Sequence, residues 1–407
     1  MTDKQYMARA IELAKLGRGW VNPNPVVGAV IVKDGKIIGE GWHECYKGLH
    51  AERNAFAALT ESAEGADLYV TLEPCCHYGK TPPCTEAIID HKIRRVVVGS
   101  DDPNPKVAGK GIAQLREAGI LVETGVMQEE CDKLNPVFFH YITTNTPYIV
   151  MKYAMTADGK TATKTGASKW ITGEKARMAV QEMRHQYMGI MAGIGTVLAD
   201  DPMLNVRLEG KKSPIRIICD SRLRIPLDSK ICRSAKTYRT IIACGKIEDA
   251  AWDGREKEGY VSGNREMYKK PGYASDYESG HDAGERERLK KAEELRALGI
   301  EVVSVPDENG RVDLFRLMKY LGSQKIDSVF LEGGGELNDS FLRAGLVNEL
   351  KVFIAPKVFG GKEAKTPVSG VGAELPDQGT ACILEKTSII GEDLLLEYRV
   401  KNKIENG

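Results

Sequence analysis

Apolar positions along the first 125 residues recur with two alternating periods. Over residues 3–16, Met7, Ala10, Ile11 and Ala14 fall on one helical face, and Gly17 is placed to stop the helix. The run Val26–Val32 reads as a buried strand, and Asp34-Gly35 as a hairpin turn before Ile37-Ile38. The pattern then predicts a helix over Ala51–Leu59, a strand over Leu68–Leu72 and a helix over Cys84–His91. A strand over Arg95–Gly99, a helix over Gly111–Glu117 and a strand over Ile120–Glu123 follow. Helices alternating with strands at this spacing imply a layered α/β unit whose sheet is largely parallel after the hairpin.

The pattern breaks at Thr143-Thr144-Asn145-Thr146-Pro147, which divides the chain into domains of residues 1–145 and 146–407. The second part predicts strands at Tyr148–Tyr153, Ile190–Ala192, Ile215–Cys219, Thr240–Ala243, Glu301–Val305, Ser328–Leu331, Leu350–Ile354 and Leu394–Val400. Helices are predicted at Lys175–Gln186, Arg286–Leu298, Leu314–Leu321 and Leu337–Ala344. This is again α/β, with the last two strands an antiparallel pair. Residues 253–284 carry many charges and few aliphatic residues, too little apolar surface to offset chain entropy, and read as a mobile surface insertion.

Composition narrows the function classes. Lys plus Arg and Asp plus Glu are each 57, so formal net charge is zero, against nucleic acid as the main partner. No apolar run approaches the ~20 residues that span a bilayer, and Met1-Thr2-Asp3-Lys4-Gln5 leads into an amphipathic pattern, not a signal-peptide core. The chain is therefore expected to be cytoplasmic, free of membrane, with its nine cysteines reduced. Reduced cysteines that cluster call for a metal or catalytic reading.

His50-Ala51-Glu52 opens a predicted helix, and Thr71-Leu72-Glu73-Pro74-Cys75 follows a predicted strand, with Cys84 nine positions later. One imidazole and two thiolates are the ligands of a catalytic zinc whose fourth position is kept for water. Glu52, two residues from His50, is not needed as a ligand and is suited to move a proton from water to a departing amine. His-x-Glu with Pro-Cys…Cys marks zinc nucleobase deaminases, although here eight residues separate the two cysteines, against two in the short form. Two other readings compete: a structural zinc completed by Cys76 or His77, and a nucleic-acid editing deaminase, which neutral charge disfavours.

The run Thr71-Leu72-Glu73-Pro74-Cys75-Cys76-His77-Tyr78-Gly79-Lys80-Thr81-Pro82-Pro83-Cys84 closely resembles the bifunctional riboflavin-biosynthesis deaminase–reductases. So do Pro23-Asn24-Pro25-Val26-Val27-Gly28-Ala29-Val30, Lys152-Tyr153-Ala154-Met155-Thr156-Ala157-Asp158-Gly159-Lys160, Gly195–Pro202, Asp220–Pro226 and Glu332-Gly333-Gly334-Gly335. The match spans nearly the whole chain outside residues 253–284. It implies a cytidine-deaminase-like α/β/α domain followed by a domain similar in fold to dihydrofolate reductases. The first would hydrolyse the 2-amino group of 2,5-diamino-6-ribosylamino-4(3H)-pyrimidinone 5′-phosphate. The second would reduce the ribosyl group to ribityl with NADPH. A single zinc per chain and a homo-oligomer are expected.

Against that chemistry, Asn24 offers an amide for a pyrimidine edge, or a plain turn residue between prolines. His77 and Lys80 lie where positive charge would receive the substrate phosphate, though a loop lysine is often merely solvated. Arg184 and Arg207 suit phosphate clamps by bidentate geometry. Gly333-Gly334-Gly335, between a strand and a helix, fits either a pyrophosphate cradle or a tight turn. The resemblance further implies that Ala154, Trp170, Thr196, Asp200 and Ser221, with Gly334 and Gly335, bind NADPH. Asp200 and Asp201 also suit helix-cap or turn roles. Ser168, Leu204, Arg207, Arg184 and Glu332 would bind the sugar phosphate, and Lys152 would lie near the reacting ribose. The family commonly follows its Gly-Gly pair with Pro-Thr, where this chain has Glu336-Leu337.

Overall fold

Every second residue of the early strands turns to the same helical layer, and this period builds the first sheet. The computed structural model describes residues 1–78, 82–247 and 283–401. Residues 253–282 of the expected insertion, and Lys80, lie outside the described residues. Helix α1 (Asp3–Lys15) precedes the hairpin β1 (Gly28–Lys33) and β2 (Lys36–Trp42). Then come α2 (Ala51–Ala57), β3 (Asp67–Leu72), α3 (Cys84–Asp90), β4 (Arg95–Ser100), α4 (Lys110–Glu117) and β5 (Leu121–Thr124). The order is β2-β1-β3-β4-β5, antiparallel through β3 and parallel beyond it. Ala29, Ile31, Leu68, Val70, Val96 and Val98 pack under Ala51, Ala55, Ile88 and Leu115 of α2–α4. The alternate residues Val30, Val32, Tyr69 and Val97 pack under α1 on the other face. Gly28 permits the closest approach, because a Cβ there would lie 2.0 Å from the Ala10 carbonyl oxygen of α1.

Two short helices that periodicity does not reveal, α5 (Gln128–Asp132) and α6 (Pro136–Thr144), lead out of this unit. The second is signalled by Asn135-Pro136, a cap followed by proline at the first helical position. Asn145 ends it in the left-handed region (φ 53°), within the segment where the sequence pattern breaks.

The second sheet begins with β6 (Tyr148–Thr156), followed by α7 (Glu174–Gln186), β7 (Gly189–Gly193), α8 (Ile194–Asp200), β8 (Ile215–Cys219) and α9 (Lys230–Arg233). Then follow β9 (Thr240–Cys244), α10 (Ala283–Ala297), β10 (Glu301–Ser304), α11 (Leu314–Ser323), β11 (Ser328–Leu331) and α12 (Gly335–Arg343). It closes with β12 (Glu349–Ala355), β13 (Cys382–Ile390) and β14 (Asp393–Val400). The order β10-β9-β8-β7-β11-β6-β12-β14-β13 is parallel from β10 to β12. The pairing of β12 with β14 is antiparallel, as the sequence pattern predicts. Strand β13 escapes that pattern: it is a sheet edge whose middle residues Glu385, Lys386 and Thr387 are all exposed, so no buried alternation marks it. Helices α11 and α12 cover one face of the sheet, and α7, α8 and α10 the other.

The turn after α1 packs against the second unit. The Trp20 ring meets His185 edge-on at 4.8 Å with Lys212 Nζ 5.0 Å from its centre. Asn22 Nδ2 donates to the buried Asp327 carboxylate at 2.8 Å, just before β11.

Candidate active sites

Three local starts and ends bring the metal-ligand candidates together. His50 is the extended residue that caps α2, Cys84 is the first residue of α3, and Cys75 lies three residues beyond β3. His50 Nδ1 lies 3.4 Å from both Cys75 Sγ and Cys84 Sγ, and all three donor atoms fall within 4.8 Å of one another. Zinc bonds of ~2.1 Å to nitrogen and ~2.3 Å to sulfur in a tetrahedron separate ligand atoms by about 3.6 Å. The donor set and its spacing therefore fit zinc with little rearrangement. Among the described residues neither Cys76 nor His77 joins the group, which leaves a fourth direction open.

The electrostatics suit one deprotonated sulfur and a proton-carrying acid, because the Cys75 hydrogen bond and burial push the Cys84 thiol well up. The Cys75 thiol is drawn down to about 4, chiefly by the Cys84 hydrogen bond, then by His50, against the cost of burial. Glu52 is 3% exposed, and its carboxyl is pushed up by desolvation and by the charge of Cys75.

His50, Cys75 and Glu52 open into a cleft of about 310 Å³ that Asn24 and His77 also line, with Cys84 buried behind them. Asn24 Nδ2 lies 3.2 Å from His43 Nε2, while His43 Nδ1 lies 2.9 Å from the Leu49 carbonyl oxygen. His43 thus donates through Nδ1 and accepts from Asn24, the neutral tautomer, consistent with burial lowering its pKa. His43, Asp102 and Asn104 are cleft residues that the sequence analysis does not single out. Asp102 and Asn104 follow β4 directly, and ligands gather beyond the carboxyl ends of parallel strands. That position was the available signal. Burial pushes the Asp102 carboxyl up to about 6, against the Asn104 amide that donates to it.

In the second unit, Thr196, Ser221 and Glu332 follow the carboxyl ends of β7, β8 and β11, while Lys152 and Ala154 lie on β6 and Arg184 on α7. Arg184 of α7 grips Glu332 with two bonds, Nε–Oε1 at 2.6 Å and Nη2–Oε2 at 3.0 Å, and Lys152 Nζ lies 3.8 Å from Oε2. Each of the three side chains is 14% exposed. Burial alone would raise the Glu332 carboxyl, but Arg184, Lys152 and the more distant Arg207 hold it at about 2. Arg184 also donates to the Asn205 carbonyl oxygen at 3.0 Å. Its fork therefore grips a protein carboxylate, where the sequence analysis has it grip a phosphate, while the Arg207 side chain is exposed.

The other expected contacts divide. Gly334 caps α12 and abuts Thr196, whose Oγ1 lies 3.4 Å from where a Gly334 Cβ would be. Gly335 is not bare cradle: Ser369 N donates to its carbonyl at 3.1 Å, and a Cβ would strike Ser369 Oγ. Glu336 is exposed in the first turn of α12. Ser168 Oγ reaches Asp200 at 3.5 Å, and Ser221 Oγ accepts from Val312 N. Trp170 is exposed with Arg177 4.5 Å from its ring centre, and Ala154 is half-buried on β6. Leu204 is buried in the core at φ 48°.

Comparison with known proteins gives the class first. A family model described as the cytidine and deoxycytidylate deaminase zinc-binding region matches residues 1–100, and the RibD C-terminal domain matches residues 147–253 and 282–396. The chain thus joins a zinc-dependent deaminase to a reductase. It is 51% identical to the riboflavin biosynthesis protein RibD of Actinobacillus pleuropneumoniae, covering 98% of this chain and 96% of that one. The RibD of Bacillus amyloliquefaciens is 38% identical, covering 97% and 95%. Among solved structures, RibD of Acinetobacter baumannii matches with TM-score 0.79 at 35% identity, covering 98% and 99%. A Thermotoga maritima diaminohydroxyphosphoribosylaminopyrimidine deaminase/5-amino-6-(5-phosphoribosylamino)uracil reductase matches with TM-score 0.76 at 34% identity and the same coverage.

The chain belongs to the RibD family of bifunctional riboflavin-biosynthesis enzymes, with deaminase and reductase activities. Its domains imply zinc, a nicotinamide cofactor and a small-molecule substrate. Among the described residues no helix is long and apolar enough to cross a membrane.

Proposed function

We propose that residues 1–145 carry the deaminase and 146–407 the reductase, acting in turn on 2,5-diamino-6-ribosylamino-4(3H)-pyrimidinone 5′-phosphate. The observation that carries the reading is the buried Glu52, which faces one cleft with His50 and Cys75, while fully buried Cys84 completes the group from behind. Zinc, when bound, supplies a Lewis acid that makes water nucleophilic at neutral pH. His50, Cys75 and Cys84 would hold one ion per chain. Glu52 takes the proton of the water that attacks the carbon bearing the 2-amino group, then delivers it to the amine, which leaves as ammonia while a carbonyl forms. Asn24, oriented by neutral His43, presents its remaining amide groups to the pyrimidine edge. His77 lines the same cleft and is assigned to the substrate, as is Lys80 of the same loop.

In the second domain NADPH supplies the hydride. Ala154, Trp170, Thr196, Asp200, Ser221, Gly334 and Gly335 are assigned to the cofactor. Exposed Arg207 takes the substrate phosphate, with Ser168 and Leu204 beside it. Arg184 fixes the Glu332 carboxylate, which with Lys152 faces the ribose. Reducing conditions in a cytoplasm fit nine cysteines that are all free. A homo-oligomer fits the edge strand β13, which exposes Leu384 and Ile389.

The deciding experiment incubates the purified protein with the diaminopyrimidine, with and without NADPH, and identifies products by mass. Ammonia and the ribosylamino-uracil without cofactor, and the ribitylamino-uracil with it, are expected. Reduction driven equally well by NADH would remove the cofactor assignment. Zinc analysis checks one ion per chain, and light scattering checks the assembly.

A further inference from the structure

The cleft of the first domain has an electrostatic imbalance. Its lining includes three carboxylates, Glu52, Glu73 and Asp102, while Lys47 is the one lysine or arginine among the described lining residues. A substrate that carries a phosphate calls for positive charge there, beyond His77 and Lys80 of the loop already assigned to it. Glu73 is already committed, accepting from Gly109 N at 2.9 Å and Ile112 N at 3.2 Å.

Lys47 is held in an unusual way. It lies at φ 72°, in the left-handed region that side chains with a Cβ disfavour. It is the third residue of the turn Cys45–Gly48, which Gly48 N closes by donating to the Cys45 carbonyl at 2.9 Å. A positive φ at that place is where a type II turn wants glycine. The turn is anchored from outside as well, because Tyr46 N donates to the Trp20 carbonyl at 3.0 Å. The ammonium lies 5.7 Å from the Tyr46 ring centre. Backbone strain of this kind persists where the surroundings enforce it, and it clusters at ligand sites.

We infer that Lys47, on the strained turn at the mouth of the cleft, is a binding residue for the phosphate of the deaminase substrate. This rests on the reading that the substrate is a ribosyl phosphate. Lysine here gives up turn stability for a positive charge that a glycine would lack.

The test measures ammonia release by the full-length zinc enzyme, its Lys47→Gly and its Lys47→Arg variants. Each is assayed on the phosphorylated diaminopyrimidine and on the same compound without the phosphate. Glycine suits the backbone, so Lys47→Gly is expected to fold with an unfolding midpoint no lower than wild type. Its KM for the phosphorylated substrate should rise about 10-fold, the lower end for a lost charge-assisted contact at an exposed site, with kcat unchanged. Lys47→Arg should restore most of that loss, and on the phosphate-free compound Lys47→Gly and wild type should match. An unchanged KM in Lys47→Gly, or an equal rise on both compounds, overturns the inference and leaves the deaminase reading standing. Wild-type enzyme that releases no ammonia from the phosphorylated compound overturns the substrate reading itself.

Discussion

Two buried glutamates, one in each domain, have opposite surroundings. Glu52 sits among thiols and an imidazole, with no arginine or lysine among the described residues setting its charge, and its carboxyl is pushed up by desolvation. Glu332 is also largely withdrawn from water, yet Arg184 and Lys152 hold it at about 2. The first is a group whose proton can come and go. The second is a fixed charge that orients its neighbours. Burial alone does not decide a carboxylate's role; the charge it meets inside does.

That contrast can be broken in several places. The largest effect is expected from Cys75→Ser, which should lose zinc and deamination together while NADPH-dependent reduction continues. A zinc-replete, active variant, by metal analysis and ammonia assay, would remove the ligand assignment. Next, Glu332→Gln strands two buried cations and should cost about 3–5 kcal/mol of stability in the second domain, read by denaturant unfolding. Glu52→Gln is the counterpart: it should cut deamination at least ~100-fold, keep its zinc, and lose no stability. A parallel loss of stability in both glutamine variants would erase the distinction between the two residues.

Smaller effects sharpen the separation of the domains. Arg207→Ala should weaken reductase efficiency by about 10- to 100-fold, from a phosphate contact of ~1.5–3 kcal/mol, with deamination near wild type. Equal loss of both activities in folded protein would point to one composite site. At the contact between the domains, burial raises the Asp327 carboxyl to about 6, well above the ordinary aspartate range, against hydrogen bonds from Ser328 and Asn22. A raised folded-state value favours the protonated form, so this contribution is full below about pH 4 and is lost as pH rises through about 6. Wild-type stability should fall by about 1–3 kcal/mol more than that of Asp327→Asn across this window. Parallel curves for the two proteins would contradict it.

The first domain's chemistry was legible because its residue types are rare and close in sequence: His50, Glu52, Cys75 and Cys84 span 35 positions. The strand and helix periods around them also held to within a few residues. Residues that act by orienting others were not legible. His43 gains its place only when β2 and the turn after it lie beside Asn24. Asp102 matters only once β4 is known to end at the cleft. In the second domain the expected site is spread from Lys152 to Gly335, and ordinary residue types leave their partners undetermined. Arg184 reads as a phosphate clamp until Glu332, 148 positions away, is seen in its fork. Helix α9, of four residues, is too short for a period to show, and exposed β13 has no buried face to betray it.

The place of β6 has a consequence for how the chain is made. It is the first strand of its sheet in sequence, yet it sits in the interior, between β11 and β12. Thr156 ends β6 and Ser328 begins β11, so the 171 residues between them must be synthesised before its nearer neighbour exists. At about 5–20 residues per second on the ribosome, that is a wait of roughly 10–35 s. The first sheet, complete by Thr124, can close during that time. Strand β6, with four buried residues from Tyr148 to Met151, meanwhile has both backbone edges unpaired. Nascent second-domain chains are therefore the form of this protein most exposed to mispairing, and slower elongation before β11 would prolong that state.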